Sequence, residues 1–120
     1  MDPDEFINTA IEIGSHNGIE ALDADQRLVY LVSEAEVYCD MEGINGFLHR
    51  YFPQRIEETA AAFAELGAAE IAAGLREIAV NTIRDDQLLE RTNELITRRA
   101  GYDYEAIRQA VKKRLAMRTH

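Results

Sequence analysis

Apolar residues recur at intervals of three and four along nearly the whole chain, and nowhere do they alternate with polar ones for the length of a strand. That period belongs to amphipathic helices, so the fold class read from it is all-α. Phe6, Ile7, Ala10 and Ile11 stripe a first helix. Asp2 is its expected N-cap and Pro3 its first residue, where a missing N–H costs nothing. Gly14 and the Ser15-His16-Asn17-Gly18 stretch are expected to break it. Asp23 or Asp25 caps a second helix running to about Asp40, with Leu28, Leu31, Val32, Ala35 and Cys39 on one face. Val29, Tyr30 and Val37 lie off that face, which places this helix at the centre, touching neighbours on two sides.

Residues 41–46 read as a turn with two glycines, followed by a short aromatic helix holding Phe47, Leu48, Tyr51 and Phe52. Pro53 ends that helix and suits the first turn of the next. Ile56, Ala60, Phe63 and Leu66 stripe a fourth helix, which Gly67 ends in the left-handed conformation, and Ile71, Leu75 and Ile78 stripe a fifth. Alanines on both sides of Gly67 let two helices approach closely, so 54–66 and 68–80 are expected to form a hairpin packed on the second helix. Asp85 or Asp86 caps a sixth helix, with Leu88, Thr92, Leu95 and Ile96 inward and Ala100-Gly101 closing it. Asp103 caps a last one striped by Tyr104, Ile107, Val111 and Leu115. Every connection is short, so residues 1–120 are expected to form a single all-α domain, one bundle of six or seven helices.

The charge is unevenly laid out. Residues 1–60 carry 13 acids and only three bases (Arg27, Arg50 and Arg55), a sum of −10, while residues 61–120 sum to +1. Acids in the first turns of helices complement the macrodipole, and Asp2, Asp4, Glu5, Asp23 and Asp25 fit that account. Glu34, Glu36, Asp40 and Glu42 do not, because they crowd the C-terminal half of the second helix, where negative charge opposes the dipole. Arg98 and Arg99 are expected to finish the sixth helix, and Lys112, Lys113, Arg114 and Arg118 the seventh, where cations suit the dipole. A net charge of −9 argues against direct binding of nucleic acid, which needs cations to neutralise phosphates.

Catalytic chemistry finds little foothold. His16, His49 and His120 form no pair at metal spacing, and the single Cys39 excludes an internal disulfide or a Cys-rich zinc module, so no metal and no cofactor are expected. His49, between aromatic residues, is expected to be a partly buried structural residue. Cys39, on the inward stripe and flanked by acids, is expected to be an inert buried thiol. No apolar run reaches the roughly 20 residues of a membrane helix. The acidic start Met1-Asp2-Pro3-Asp4-Glu5 lacks the basic region of a signal peptide, which points to the cytoplasm.

One run carries a resemblance. Tyr38, then Gly43-Ile44-Asn45-Gly46-Phe47, Tyr51-Phe52, Thr59-Ala60, Leu66-Gly67-Ala68, Glu70 and Ile71-Ala72 together resemble the bacterial DNA-mimic protein family over about residues 25–80. Asn45 stands where that family usually has a first glycine, and Asn is the residue after glycine that best tolerates positive φ. The resemblance implies an all-α fold, no catalysis, and a homodimer whose acidic surface occupies the DNA-binding face of a transcription factor. Gly43, Asn45, Gly46 and Phe47 are then structural turn residues. The expected partner-binding surface comprises Asp23, Asp25, Glu34, Glu36, Asp40, Glu42, Glu57 and Glu58, mimicking phosphates toward a basic DNA-binding regulator. The alternative is an accessory or immunity factor that binds its partner through apolar and aromatic surface.

Overall fold

The computed structural model describes residues 1–118, among which there are seven α-helices and no strand. They are α1 (Pro3–Asn17), α2 (Ala24–Met41), α3 (Ile44–Tyr51), α4 (Ile56–Glu65), α5 (Ala69–Val80), α6 (Asp86–Thr97) and α7 (Tyr104–Arg118), with a 3-10 turn over Ile19–Ala21. The starts of α1, α2, α6 and α7 follow the capping chemistry. Asp23 Oδ1 accepts from the Gln26 amide at 2.9 Å while Gln26 Oε1 accepts from the Asp23 amide at 3.0 Å, a reciprocal capping box. Asp85 accepts from the Leu88 amide at 3.1 Å and Asp103 from the Ala106 amide at 2.8 Å. Each such cap contributes about 1 kcal/mol.

Several expected helix limits move. α1 runs straight through Gly14 and stops only at Gly18, whose φ is +87°. Gly14 serves packing instead: a Cβ there would lie 2.4 Å from the Tyr30 ring, so its absence lets α1 lie against α2. Pro53 does not begin α4; it lies in the turn after α3, joined to Phe52 by a cis peptide bond, and α4 starts at Ile56. α6 ends at Thr97, and the chain passes to α7 through left-handed Arg99 and Gly101.

α2 borders both parts of the core. Its Leu28, Leu31, Val32, Ala35 and Cys39 enter the main cluster with Phe47, Ile56, Phe63, Ile71, Leu75 and Ile96. Its Val29 joins a smaller cluster with Phe6, Ile7, Ala10 and Val111, which seats α1 and α7. Val37, expected to touch a neighbour, is 45% exposed. The hairpin of α4 and α5 turns at left-handed Gly67; beyond their contact with each other, α4 packs on α2 and α5 packs on α6. That second contact depends on Gly74, where a Cβ would meet Thr92 Oγ1 at 2.5 Å.

Candidate functional site

Of the eight carboxylates expected to form one surface, six spread along α2 and its two caps, where Asp23 and Asp40 stand about 25 Å apart on the helix axis, and Glu57 and Glu58 lie on α4. At the N-terminal end they are met by arginines. Arg114 forks Glu65 through two bonds of 2.8 and 2.7 Å and donates to Asp25 at 2.8 Å. Arg118 donates to Asp25 at 2.6 Å and to Asp23 at 3.0 Å. Burial works to raise the Asp25 pKa, but the bonds from Arg114 and Arg118 outweigh it and hold the carboxyl below its ordinary range. Glu58 is held down in the same way: burial opposes, and Arg27 at 2.7 Å and Arg55 at 2.9 Å prevail. Glu57 pairs with Arg76 on α5 at 3.1 Å.

Further along α2 the partners change. Tyr51 on α3 donates to Glu34 at 2.5 Å, and burial followed by Glu34 pushes the Tyr51 hydroxyl well above the usual phenol range. Tyr102 donates a short hydrogen bond to Glu36, which Arg99 also reaches at 3.0 Å. Glu36 keeps only 18% of its side chain exposed. Both acids therefore staple α2 to neighbouring elements and present little charge to solvent. Asp40 and Glu42 differ: both are exposed, and among the described residues no hydrogen bond or ion pair holds either carboxylate.

Two more open carboxylates lie on α6. Glu90 on α6 shares a surface depression of about 390 Å³ with Gly43, Ile44 and Asn45, directly beyond Glu42, and Glu94 follows one turn along α6. Neither has a partner among the described residues. Their i,i+4 spacing on the outer face of α6 is visible in the sequence, but the place of Glu90 beside the turn after α2 depends on a long-range contact that spacing cannot reveal.

The turn between α2 and α3 departs from its expected shape. Only Gly43 is left-handed, with φ +84°, whereas Asn45, Gly46 and Phe47 already lie in α3. Asn45 is helical, so the family's glycine is not required at that residue. Gly46 leaves little room for a side chain, since a Cβ there would lie 3.0 Å from Glu42 Cβ and 3.2 Å from the Tyr38 ring. Phe47 is fully buried, its ring centroid 5.0 Å from that of Tyr51. Beside this turn Leu48, Phe52, Ile78, Ile83 and Leu89 line an open groove of about 470 Å³. His49 sits at its rim and is exposed, not buried as expected, because Phe47, Leu48 and Tyr51 take the inward side of α3.

Cys39 is 5% exposed, and burial followed by the Asp40 charge pushes its thiol pKa up to about 12. His16 Nδ1 lies 2.9 Å from the carbonyl of Glu12 at the end of α1, and His120 lies outside the described residues. Among the described residues no group of three or more His, Cys, Asp or Glu side chains is placed to hold a metal, and no helix is long and apolar enough to cross a membrane.

The basic residues of the second half do more than sit at helix ends. Arg99, just past α6, reaches Glu36, and Arg108 reaches Asp4 on α1 at 3.0 Å, where Tyr104 also donates at 2.8 Å. The cationic half thus folds back onto the anionic half and neutralises one end of it. No curated protein and no solved structure matches the chain. The family model for DMP19-like proteins matches residues 20–114, beyond both ends of the 25–80 run, and on that match the chain belongs to the DMP19-like family, the DNA-mimic family whose turn and alanine-rich hairpin it carries.

Proposed function

We propose that this chain is a non-enzymatic interaction protein that presents Asp40, Glu42, Glu90 and Glu94 as substitutes for DNA phosphates toward a basic DNA-binding regulator in the cytoplasm. The supporting observation is the contrast in counter-ions. Asp23, Asp25, Glu57 and Glu58 have arginines of their own chain, while the carboxylates at the meeting of α2 and α6 have none among the described residues. Negative charge at the C-terminal end of α2 opposes the helix dipole, so it is retained there against local stability. Unneutralised carboxylates steer a cationic groove toward them and lose affinity as salt rises. A homodimer would double the row.

The test begins with the regulator that co-purifies with the chain, isolated and titrated directly. Duplex DNA should compete with the chain for it, and rising salt should weaken binding steeply. Replacing the four acids together by Asn and Gln should abolish the complex. Binding that survives this replacement, or that DNA leaves untouched, sinks the reading. A salt-insensitive complex would favour the apolar groove at Leu48, Phe52 and Ile83, where an accessory or immunity factor would bind.

A further inference from the structure

We propose that the last turns of α7 form a releasable strap: closed, Arg114 and Arg118 occupy Asp23, Asp25 and Glu65, and an arginine-bearing helix of a basic partner displaces them to take the same carboxylates. The inference rests on the reading that the chain engages a basic partner, and it adds a second contact surface to that reading.

Apolar attachment fails at the point where the strap begins. Val111 is 1% exposed and anchored in the smaller core cluster, yet of residues 112–118 only Leu115 packs against that cluster, and Met117 is 75% exposed. What holds this stretch is chiefly charge: five arginine–carboxylate hydrogen bonds, with the Arg118 guanidinium also 5.6 Å above the Phe6 ring. Underneath, the fit is open. An open depression of about 530 Å³ lies beside Asp25, Glu65, Lys113 and Met117. A second, of about 100 Å³, lies on the other side of Arg114, walled by Ala24 and Leu28 of α2 and Ala61 and Ala62 of α4. Arg114 therefore bridges a gap between α2 and α4 that it does not fill.

Such a closure is easily opened. Exposed ion pairs contribute little each and are screened by salt, and segments with few buried apolar contacts open first. Opening leaves Asp23, Asp25 and Glu65 without their cations, arranged to receive two guanidinium groups one helical turn apart. Glu65 accepts a two-pronged bond and Asp25 bridges both arginines, geometry that a planar guanidinium satisfies and an ammonium does not. The strap is itself such a helix, so the chain displays in cis the contact it offers in trans.

The experiment uses the full chain and a synthetic helical peptide with two arginines four residues apart, beside the same peptide with lysines. The double variant Arg114→Gln, Arg118→Gln should bind the arginine peptide about tenfold more tightly than the parent, since the internal competitor is gone. Adding Asp25→Asn and Glu65→Gln should remove that gain, and the lysine peptide should show little of it. In the parent, the arginine peptide should speed amide hydrogen exchange within 113–118 while the rest of the fold stays protected. This second reading decides the matter if the double variant does not fold. Equal affinities for parent and double variant, or a bound peptide with the strap amides still protected, overturn the proposal. If that happens while neutralising Asp40, Glu42, Glu90 and Glu94 still abolishes regulator binding, the proposed function stands and the strap alone falls. A strap that opens as described with no DNA-competed regulator overturns the function reading alone.

Discussion

At its N-terminal end α2 meets arginines from α7; at its C-terminal end it meets tyrosine hydroxyls and a single arginine, Arg99, then open solvent. The C-terminal end carries four acids against two, and while the first end is electrically closed, Asp40 and Glu42 leave the second open. Carboxylate count along a helix therefore says little about the field it presents; the elements packed beside it decide. Glu34 and Glu36 make the point within two turns of Asp40. The first two accept from buried tyrosines and hold the fold, while Asp40 faces water.

The sharpest way to break this comparison is to remove a tyrosine. Tyr102 is 8% exposed, packs edge-on against Phe63 at 5.5 Å between centroids, and donates to Glu36. Tyr102→Ala should lower stability by about 3–5 kcal/mol in denaturant melts, through the cavity and the orphaned carboxylate. Tyr102→Phe should lower it by about 1–2 kcal/mol, and added salt should leave that loss unchanged. A loss that vanishes in salt would mean that the C-terminal end is held like the other.

The arginine end should respond in the opposite way. Arg114→Ala should cost about 1–2 kcal/mol at low salt and distinctly less near 1 M, where the Debye length falls to about 3 Å. Acid probes the same contact. Asp25 and Glu58 have folded pKa values held below their unfolded ones, so their contribution is complete above the ordinary carboxylate range. It is lost as pH falls through and below about 4. Arg114→Ala should flatten that acid limb of the stability curve by releasing Asp25, as thermal melts between neutral and acid pH will show.

The smallest effect belongs to the open carboxylates. Asp40→Asn with Glu42→Gln should change stability by about 0.5 kcal/mol or less, toward greater stability, because charge opposing the α2 dipole is removed. A loss above about 1 kcal/mol would show that these side chains hold the fold, and the contrast between the ends would disappear.

Local chemistry made much of the architecture readable from the residues. Spacings of three and four located each helix, and Asp2, Asp103 and the pairs Asp23 or Asp25 and Asp85 or Asp86 marked starts because a side-chain cap acts within three residues; the structure selects Asp23 and Asp85. Gly67 marked the hairpin because few residues other than glycine adopt its φ of +91°. Long-range pairing was not readable in this way. Arg114 and Asp25 are 89 positions apart and Tyr102 and Glu36 are 66 apart, and no periodicity links them. Summing the charge of each half separated the two sets of ions that the fold brings together. Gly14 read as a breaker because its purpose, clearance for the Tyr30 ring, lies on another helix.

Cys39 has a practical consequence for all of these experiments. It is the chain's sole cysteine, it is 5% exposed, and its pKa of about 12 keeps almost none of it as thiolate near neutrality. The native chain therefore behaves toward alkylating reagents as though it had no sulfur nucleophile. A cysteine introduced at position 40 or 118 would be the one reactive handle on the surface, taking a crosslinker or a fluorophore selectively. Either end of α2 can then be addressed chemically without first replacing Cys39, whose contacts in the core remain intact.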